Sequence, residues 1–267
     1  MRLYGTAPYR IAVLHGGPGA PGYMAPVARE LASRTGVIEP LQSARSIDGQ
    51  VAELHNDLAA HGPHPLTVIG SSWGAMLGFI YAARHPERVA KLIMIGSGVY
   101  DERYQFAISS TRMARLDVAG RRRAAELTAR LSNSAEINKD DVLAEFGALL
   151  FKADTFDPDS DYIEALAHQY DVNRAVWDEA RALRRSGALL ELGRAIDCPV
   201  VALHGDYDPH PADGVRLPLA RVLRNFRFVS IEQCGHYPWV ERRARERFYT
   251  LLNDAISSAP TPDHPDA

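Results

Sequence analysis

The sequence predicts an α/β domain: a mostly parallel sheet of about six or seven strands, covered by helices on both faces and interrupted by a long helical insertion. Three observations carry this. Short apolar runs alternate with amphipathic segments from the N-terminus to about residue 99. The strand pattern then vanishes between 100 and 196 and resumes at 200. A glycine-flanked turn at 70–74 joins a strand-like run directly to a helix-like one. With 267 residues, 46% of them hydrophobic and 24% charged, the composition is that of a globular chain large enough to enclose a pocket.

Taken in order, residues 11–14 read as a buried strand and 24–33 as a helix. A short strand at 37–38 precedes a helix at 47–60. Residues 66–69 form a second clear strand, and 73–84 a helix stopped by Pro86. A third clear strand covers 92–95. Helical periodicity follows at 124–131, 141–151, 162–169 and 175–183, with Asp157-Pro158-Asp159-Ser160 as a turn between. Strands at 200–203 and 226–231 alternate with helices at 216–223 and 242–256. Residues 1–99 and 197–256 are thus expected to form the core, 100–196 a helical cap, and the Pro- and Asp-rich residues 257–267 a disordered tail.

Several function classes are disfavoured. The net charge is -3, and the densest basic cluster, Arg121-Arg122-Arg123, has the setting of a solvated helix face, so no nucleic-acid partner is expected. No apolar run approaches the roughly 20 residues of a membrane span, and the N-terminus has no apolar signal region. Cys198 and Cys234 are too few for a disulfide scaffold and are not a zinc pair. His61-Gly62-Pro63-His64 lacks the helix on which zinc motifs are built. A cytoplasmic protein without metal or cofactor is the expectation.

The chemistry concentrates in four loops. Gly70-Ser71-Ser72-Trp73-Gly74 fits G-x-S-x-G between a strand and a helix, and no other glycine in the chain has a serine two residues later. A sharp strand-to-helix turn raises the serine above the carboxyl edge of the sheet, where open α/β sheets bind ligands. Tight packing alone would also explain the glycines. His15-Gly16-Gly17-Pro18-Gly19 follows the first strand and lets backbone N–H groups approach a ligand. It fits neither G-x-G-x-x-G nor a Walker loop. An oxyanion hole draws one N–H from such a loop and one from the residue after the nucleophile, which makes Gly17 and Trp73 the candidates.

The nucleophile needs a base, and chain order points to the C-terminal third among ten histidines. His236 lies on a loop after the strand at 226–231 and is the candidate; His210 is the reserve. His204 reads as a packed core residue, and His55, His61, His85 and His264 as solvent-facing. Asp206 and Asp208 both follow the strand at 200–203. Asp208 is preferred because the loop must bend back toward the base, with Asp101 a more distant alternative.

These motifs resemble the α/β-hydrolase superfamily from Arg10 to about Ile256. The glycine-rich loop and the serine turn resemble the proline iminopeptidase branch; Gly205-Asp206-Tyr207-Asp208 and Gly235-His236 match the superfamily's acid and histidine loops. The resemblance implies Ser72, Asp208 and His236 as a triad, Gly17 and Trp73 as oxyanion donors, and the insertion as a cap. The chain departs from the family in starting its first clear strand about ten residues in, without the usual leading hairpin. Only Val176-Trp177-Asp178-Glu179 echoes the acidic cap segment of iminopeptidases.

The implied reaction is acyl transfer from a small carboxylic ester or amide. A prolyl aminopeptidase acting on short peptides, a C–C bond hydrolase and a non-enzymatic small-molecule receptor are the alternatives. Phe146, Phe151 and Trp177 are candidate substrate-binding residues of the cap, together with Phe106, Met113 and Tyr162.

Overall fold

The computed structural model describes residues 1–159 and 166–258. Its sheet contains β1 (Arg2–Tyr4), β2 (Tyr9–Leu14), β3 (Gly36–Glu39), β4 (Leu66–Ser71), β5 (Val89–Ile95), β6 (Val200–Gly205) and β7 (Phe226–Ile231). The order is β1-β3-β2-β4-β5-β6-β7, and all pairs are parallel except β1 with β3. β1 is the strand the sequence pattern does not reveal, since three residues are too few to display a period of two. It is tied down by side chains instead. Arg2 Nε and Tyr4 Oη donate to Glu39 Oε2 at 2.7 and 2.8 Å, and Glu39 is wholly buried.

Alternation along the central strands builds two cores. Leu14, Val68, Leu92, Met94 and Ala202 face one side, where α2 (Ile47–His61) and α3 (Trp73–Arg84) cover them. Val13, Ile69, Ile93, Ile95 and Leu203 face the other, under α1 (Ala25–Leu31) and the C-terminal helix. α3 is buried from Trp73 to Ala83, so it reads as almost continuously apolar rather than amphipathic.

Between β5 and β6 there is no strand among the described residues. The segment carries α4 (Gln105–Arg115), α5 (Val118–Ser132), α6 (Lys139–Asp154), α7 (Tyr170–Arg185) and the short α8 (Ala188–Glu191). α4 escaped the sequence reading because Ser109-Ser110-Thr111 weakens its helical signal. Tertiary bonds support it: Arg112 grips Asp154 on α6, and Arg115 Nη1 donates to Ala153 O at 2.8 Å. The helix expected at 162–169 begins on residues outside those described, as does Tyr162; residues 166–169 are not helical. α9 (Asp213–Leu219) and α10 (Arg245–Ser257) complete the chain. Of the expected tail, Ser257 closes α10, and 259–267, with His264, lie outside the described residues.

Lys91 is the one lysine of β5 and it is buried. Its Nζ donates to the carbonyls of Ala255, Ile256 and Ser258 at 2.5, 3.1 and 2.6 Å. A helix end leaves its last carbonyls without intrahelical partners, and a cation there also meets the negative end of the helix dipole. Lys91→Met keeps most of the unbranched side chain but removes the donor and strands these carbonyls. It is expected to cost about 2 kcal/mol, lowering the thermal midpoint by several degrees in a melting scan; an unchanged midpoint would remove Lys91 from the account of α10.

Candidate active site

The turn between β4 and α3 holds Ser72 at φ 54 and ψ −116, a left-handed backbone that side-chain-bearing residues rarely adopt. Its own N–H donates to Ile95 O at 2.9 Å, which anchors the turn to β5. The flanking glycines are required sterically. A Cβ on Gly70 would strike the carbonyl of Gly74, and one on Gly74 would strike the carbonyl of Leu14. Trp73 opens α3, so its backbone N–H belongs to the first turn, where no intrahelical acceptor exists.

The loop after β2 passes beside this turn. A Cβ on Gly16 would meet Tyr23 Oη and come within 2.9 Å of Ser72 Cβ. Gly17 has φ 112, open to glycine alone. His15 is fully buried beneath the loop: Nε2 accepts from Gln42 N at 3.1 Å, so Nδ1 is the protonated nitrogen and donates to Gly16 O at 2.8 Å. Burial pushes its pKa down to about 4, which keeps the ring neutral. The outer side of the loop is bonded to α7. Trp177 Nε1 donates to Gly17 O at 3.0 Å, Asn173 Nδ2 to Pro18 O at 2.8 Å, and Gln169 N to Gly19 O at 2.8 Å.

Asp208 and His236 meet across the ends of β6 and β7. His236 Nδ1 lies 2.7 Å from Asp208 Oδ2, and both residues are buried. The other carboxylate oxygen, Oδ1, accepts from the backbone N–H and from the Nδ1 of His210 at 2.9 and 2.8 Å. The three neighbouring histidines, 236, 210 and 204, hold the Asp208 carboxyl well below its usual range against the opposing effect of burial. Asp206 instead accepts from Cys234 N at 3.2 Å, and Asp101 accepts from Arg103 N at 3.0 Å; neither bonds to an imidazole. His204 is packed in the core and bonds through Nε2 to His210 O at 2.8 Å. Ligand atoms of Asp208, His210 and His236 lie within 4.8 Å of one another, yet both Nδ1 atoms are already spent on the carboxylate.

Ser72, His236 and His210 all line one cavity of about 490 Å³. Phe146, Phe151 and Trp177 line it as well, whereas Phe106 is 79% exposed on α4 and Met113 packs inside the insertion. Among the described residues, Ser72 Oγ makes no hydrogen bond to His236. Sequence reasoning missed the cavity's charged groups. Arg112 forms a bidentate pair with Asp154 at 2.7 and 2.6 Å, and Arg184 bonds through Nε to Glu102 at 2.7 Å. It also missed Glu241, a buried carboxylate accepting from Gly235 N, Phe156 N and Asp157 N at 2.9, 2.8 and 2.7 Å. Helical arginines and a lone glutamate carry no local signature, since only the fold brings them to the site.

The sequence matches the family model described as alpha/beta hydrolase fold over residues 9–242. The chain belongs to the α/β-hydrolase fold family. The chain is 26% identical over 193 residues to 2-hydroxymuconate semialdehyde hydrolase of Pseudomonas sp. (strain CF600). The match covers 72% of the chain and spans 62% of that relative's length. Among solved structures it is similar to a proline iminopeptidase of Mycobacterium smegmatis, with TM-score 0.59 and 19% identity over 95% of this chain and 94% of the other. It is likewise similar to 2-hydroxy-6-oxo-6-phenylhexa-2,4-dienoate hydrolase from Rhodococcus sp. strain RHA1, with TM-score 0.60 and 19% identity over 95% and 92%. At such identities the structural likeness speaks for the fold. No helix among the described residues is long and apolar enough to cross a membrane.

His15 gives the site a pH signature. Its folded pKa of about 4 lies below the unfolded value of 6.5, so the unfolded chain binds more protons between those limits. Stability is therefore lost as pH falls from about 6.5 to 4, by about 3 kcal/mol from this residue. Melting scans across that range should show a slope that becomes shallower in His15→Gln. An equal slope in both proteins would contradict a buried neutral imidazole.

Proposed function

We propose that this hydrolase is a serine hydrolase that cleaves a small carboxylic ester or amide through an acyl-enzyme on Ser72. The observation that carries the reading is one cavity lined by a serine on a strained strand-to-helix turn and by a histidine whose far nitrogen is bonded to a buried aspartate. In this mechanism Asp208 accepts from His236 Nδ1–H, which leaves Nε2 as the basic nitrogen. Nε2 takes the Ser72 proton as Oγ attacks the carbonyl carbon. The carbonyl oxygen gains the electron pair and rests on the N–H groups of Gly17 and Trp73. The tetrahedral intermediate collapses as imidazolium protonates the leaving atom. Water then repeats the sequence and frees Ser72. Catalytic hydrogen bonds tighten once substrate fills the cavity, so the Ser72–His236 bond is expected to form in the complex with substrate.

The insertion acts as the cap in this reading and sets which substrate fits. Its arginines favour an anionic one. Arg184 is 4% exposed, and only its Nε is bonded to Glu102, so its Nη groups can serve a ligand carboxylate. The same charges oppose the binding of a cationic peptide N-terminus, and the lining carboxylate Asp154 is already neutralised by Arg112. An aminopeptidase is therefore the weaker alternative. A C–C bond hydrolase is the stronger one, supported by similarity to 2-hydroxymuconate semialdehyde hydrolase and by a basic cavity suited to an acidic substrate.

A fluorophosphonate probe should label Ser72, and Ser72→Ala should lose the label together with about a million-fold of kcat on p-nitrophenyl esters while melting normally. Turnover retained by pure Ser72→Ala protein would end the reading. A second measurement addresses the cap: p-nitrophenyl half-esters of dicarboxylic acids should be preferred over neutral esters of equal length. Arg184→Gln should reduce that preference by about tenfold in kcat/KM. A preference that Arg184→Gln leaves intact would exclude this arginine from the acyl pocket.

A further inference from the structure

His210 is not needed for the mechanism above, yet it is held as firmly as the residues that are. Its backbone N–H and ring Nδ1 both bond Asp208 Oδ1, at 2.9 and 2.8 Å, and its carbonyl accepts from His204 at 2.8 Å. Its ring stacks on His236, with centroids 4.5 Å apart and planes 25° from parallel. An ionised carboxylate only accepts, so both rings must be protonated at Nδ1, and in a neutral ring the lone pair then sits at Nε2. Two near-parallel rings anchored by Nδ1 to one carboxylate send both Nε2 atoms the same way, away from Asp208. Both rings line the cavity, and neither Nε2 is among the buried nitrogens left without a partner, which fits Nε2 atoms open to its contents.

We propose that His210 Nε2 is a specificity-determining acceptor, which selects substrates whose leaving group carries an O–H or N–H donor on the atom adjacent to the one bearing the leaving oxygen or nitrogen. This rests on His236 acting as the base at Ser72. The leaving atom must then sit at His236 Nε2, and a donor on the neighbouring atom reaches the parallel ring beside it. A vicinal hydroxyl or amino group has that spacing. The role requires His210 to stay neutral. Burial above all, with the charge of Arg112, outweighs Asp208 and draws its pKa down to about 4. The other charged group at this end of the cavity, Asp154, is spent on Arg112, and Tyr237 packs edge-on against His236 at 4.8 Å.

The test uses three acetate esters that differ in one position of the leaving phenol: 2-hydroxyphenyl, 2-methoxyphenyl and phenyl acetate. The wild-type protein should favour 2-hydroxyphenyl over 2-methoxyphenyl acetate by about five- to tenfold in kcat/KM, beyond the ratio of their spontaneous hydrolysis rates. His210→Phe keeps a stacked ring without an acceptor and should bring that ratio near one. His210→Ala should do the same if the phenylalanine does not fit. A purely structural role would slow all three esters together and preserve the ratio, which overturns the proposal, as does a wild-type protein without the preference. Binding separates this from the Ser72 reading. Ser72→Ala protein should bind catechol several-fold more tightly than 2-methoxyphenol by calorimetry, and the Ser72→Ala/His210→Phe double variant should not. Catechol preference without any esterase activity would overturn the Ser72 reading and the leaving-group role with it, leaving His210 only as an acceptor for a vicinal donor. Turnover without the preference would do the reverse.

Discussion

The backbone at Ser72 is the constraint around which the site is organised. A residue with a Cβ sits at positive φ there, which costs about 1–3 kcal/mol and persists only when its surroundings over-determine it. Those surroundings are identifiable. Ser72 N is bonded to β5, Gly70 and Gly74 let strand, helix and the β2 loop close to contact, and α3 is buried along nearly its whole length between the sheet and α2. The strain therefore rests on the best-packed part of the molecule. In the proposed mechanism it also fixes where everything else must arrive, since an oxyanion loop or a histidine loop is useful only relative to that one oxygen.

The two other loops reach it by being tied to the insertion rather than to the sheet alone. α7 bonds the outward carbonyls of Gly17 and Pro18, so the loop after β2 cannot shift without disturbing Trp177 and Asn173. At the opposite end Asp154 O accepts from His236 N at 2.7 Å, and Glu241 collects N–H groups from both the histidine loop and the chain leaving α6. A buried carboxylate accepting three backbone donors is expensive to disrupt. Substrate pocket and catalytic loops are thus one mechanical unit, and changes in the insertion would be felt at Ser72 through bonds as well as through shape.

This division explains what could be read in the sequence. Ser72, Gly17, Trp73, Asp208 and His236 are each announced by a local pattern: a glycine-flanked serine, a glycine run after a strand, an aspartate or histidine just past a strand end. The central strands are legible because burial on both faces makes them continuously apolar. β1 and α4 were not, since one is held by Arg2 and Tyr4 on Glu39 and the other by Arg112 on Asp154, contacts across long sequence separations that no local window contains. His210 stands between these cases. As a loop residue flanked by prolines it is a reserve candidate for the base; only the folded chain brings it to the other oxygen of the same carboxylate.

The electrostatics of that carboxylate limit the chemistry the cavity can perform. A buried, isolated anion would protonate, and Asp208 avoids this by accepting from two imidazoles and a backbone N–H. Each imidazole is in turn held with Nδ1–H toward the carboxylate, so in the neutral ring the nitrogen left for the cavity is Nε2 with its lone pair. Because burial keeps His210 neutral, the carboxylate's negative charge is shared but not cancelled, and in the proposed mechanism it remains available when an imidazolium forms on His236. A charged partner such as arginine at the position of His210 would neutralise Asp208 and compete with that imidazolium. The three arginines of the cavity have carboxylates of their own, Arg112 paired with Asp154, Arg184 with Glu102 and Arg181 with Asp178. The pairing of cavity charges is therefore part of what leaves Asp208 free to support His236, and it lies in the insertion, far in sequence from the residues it serves.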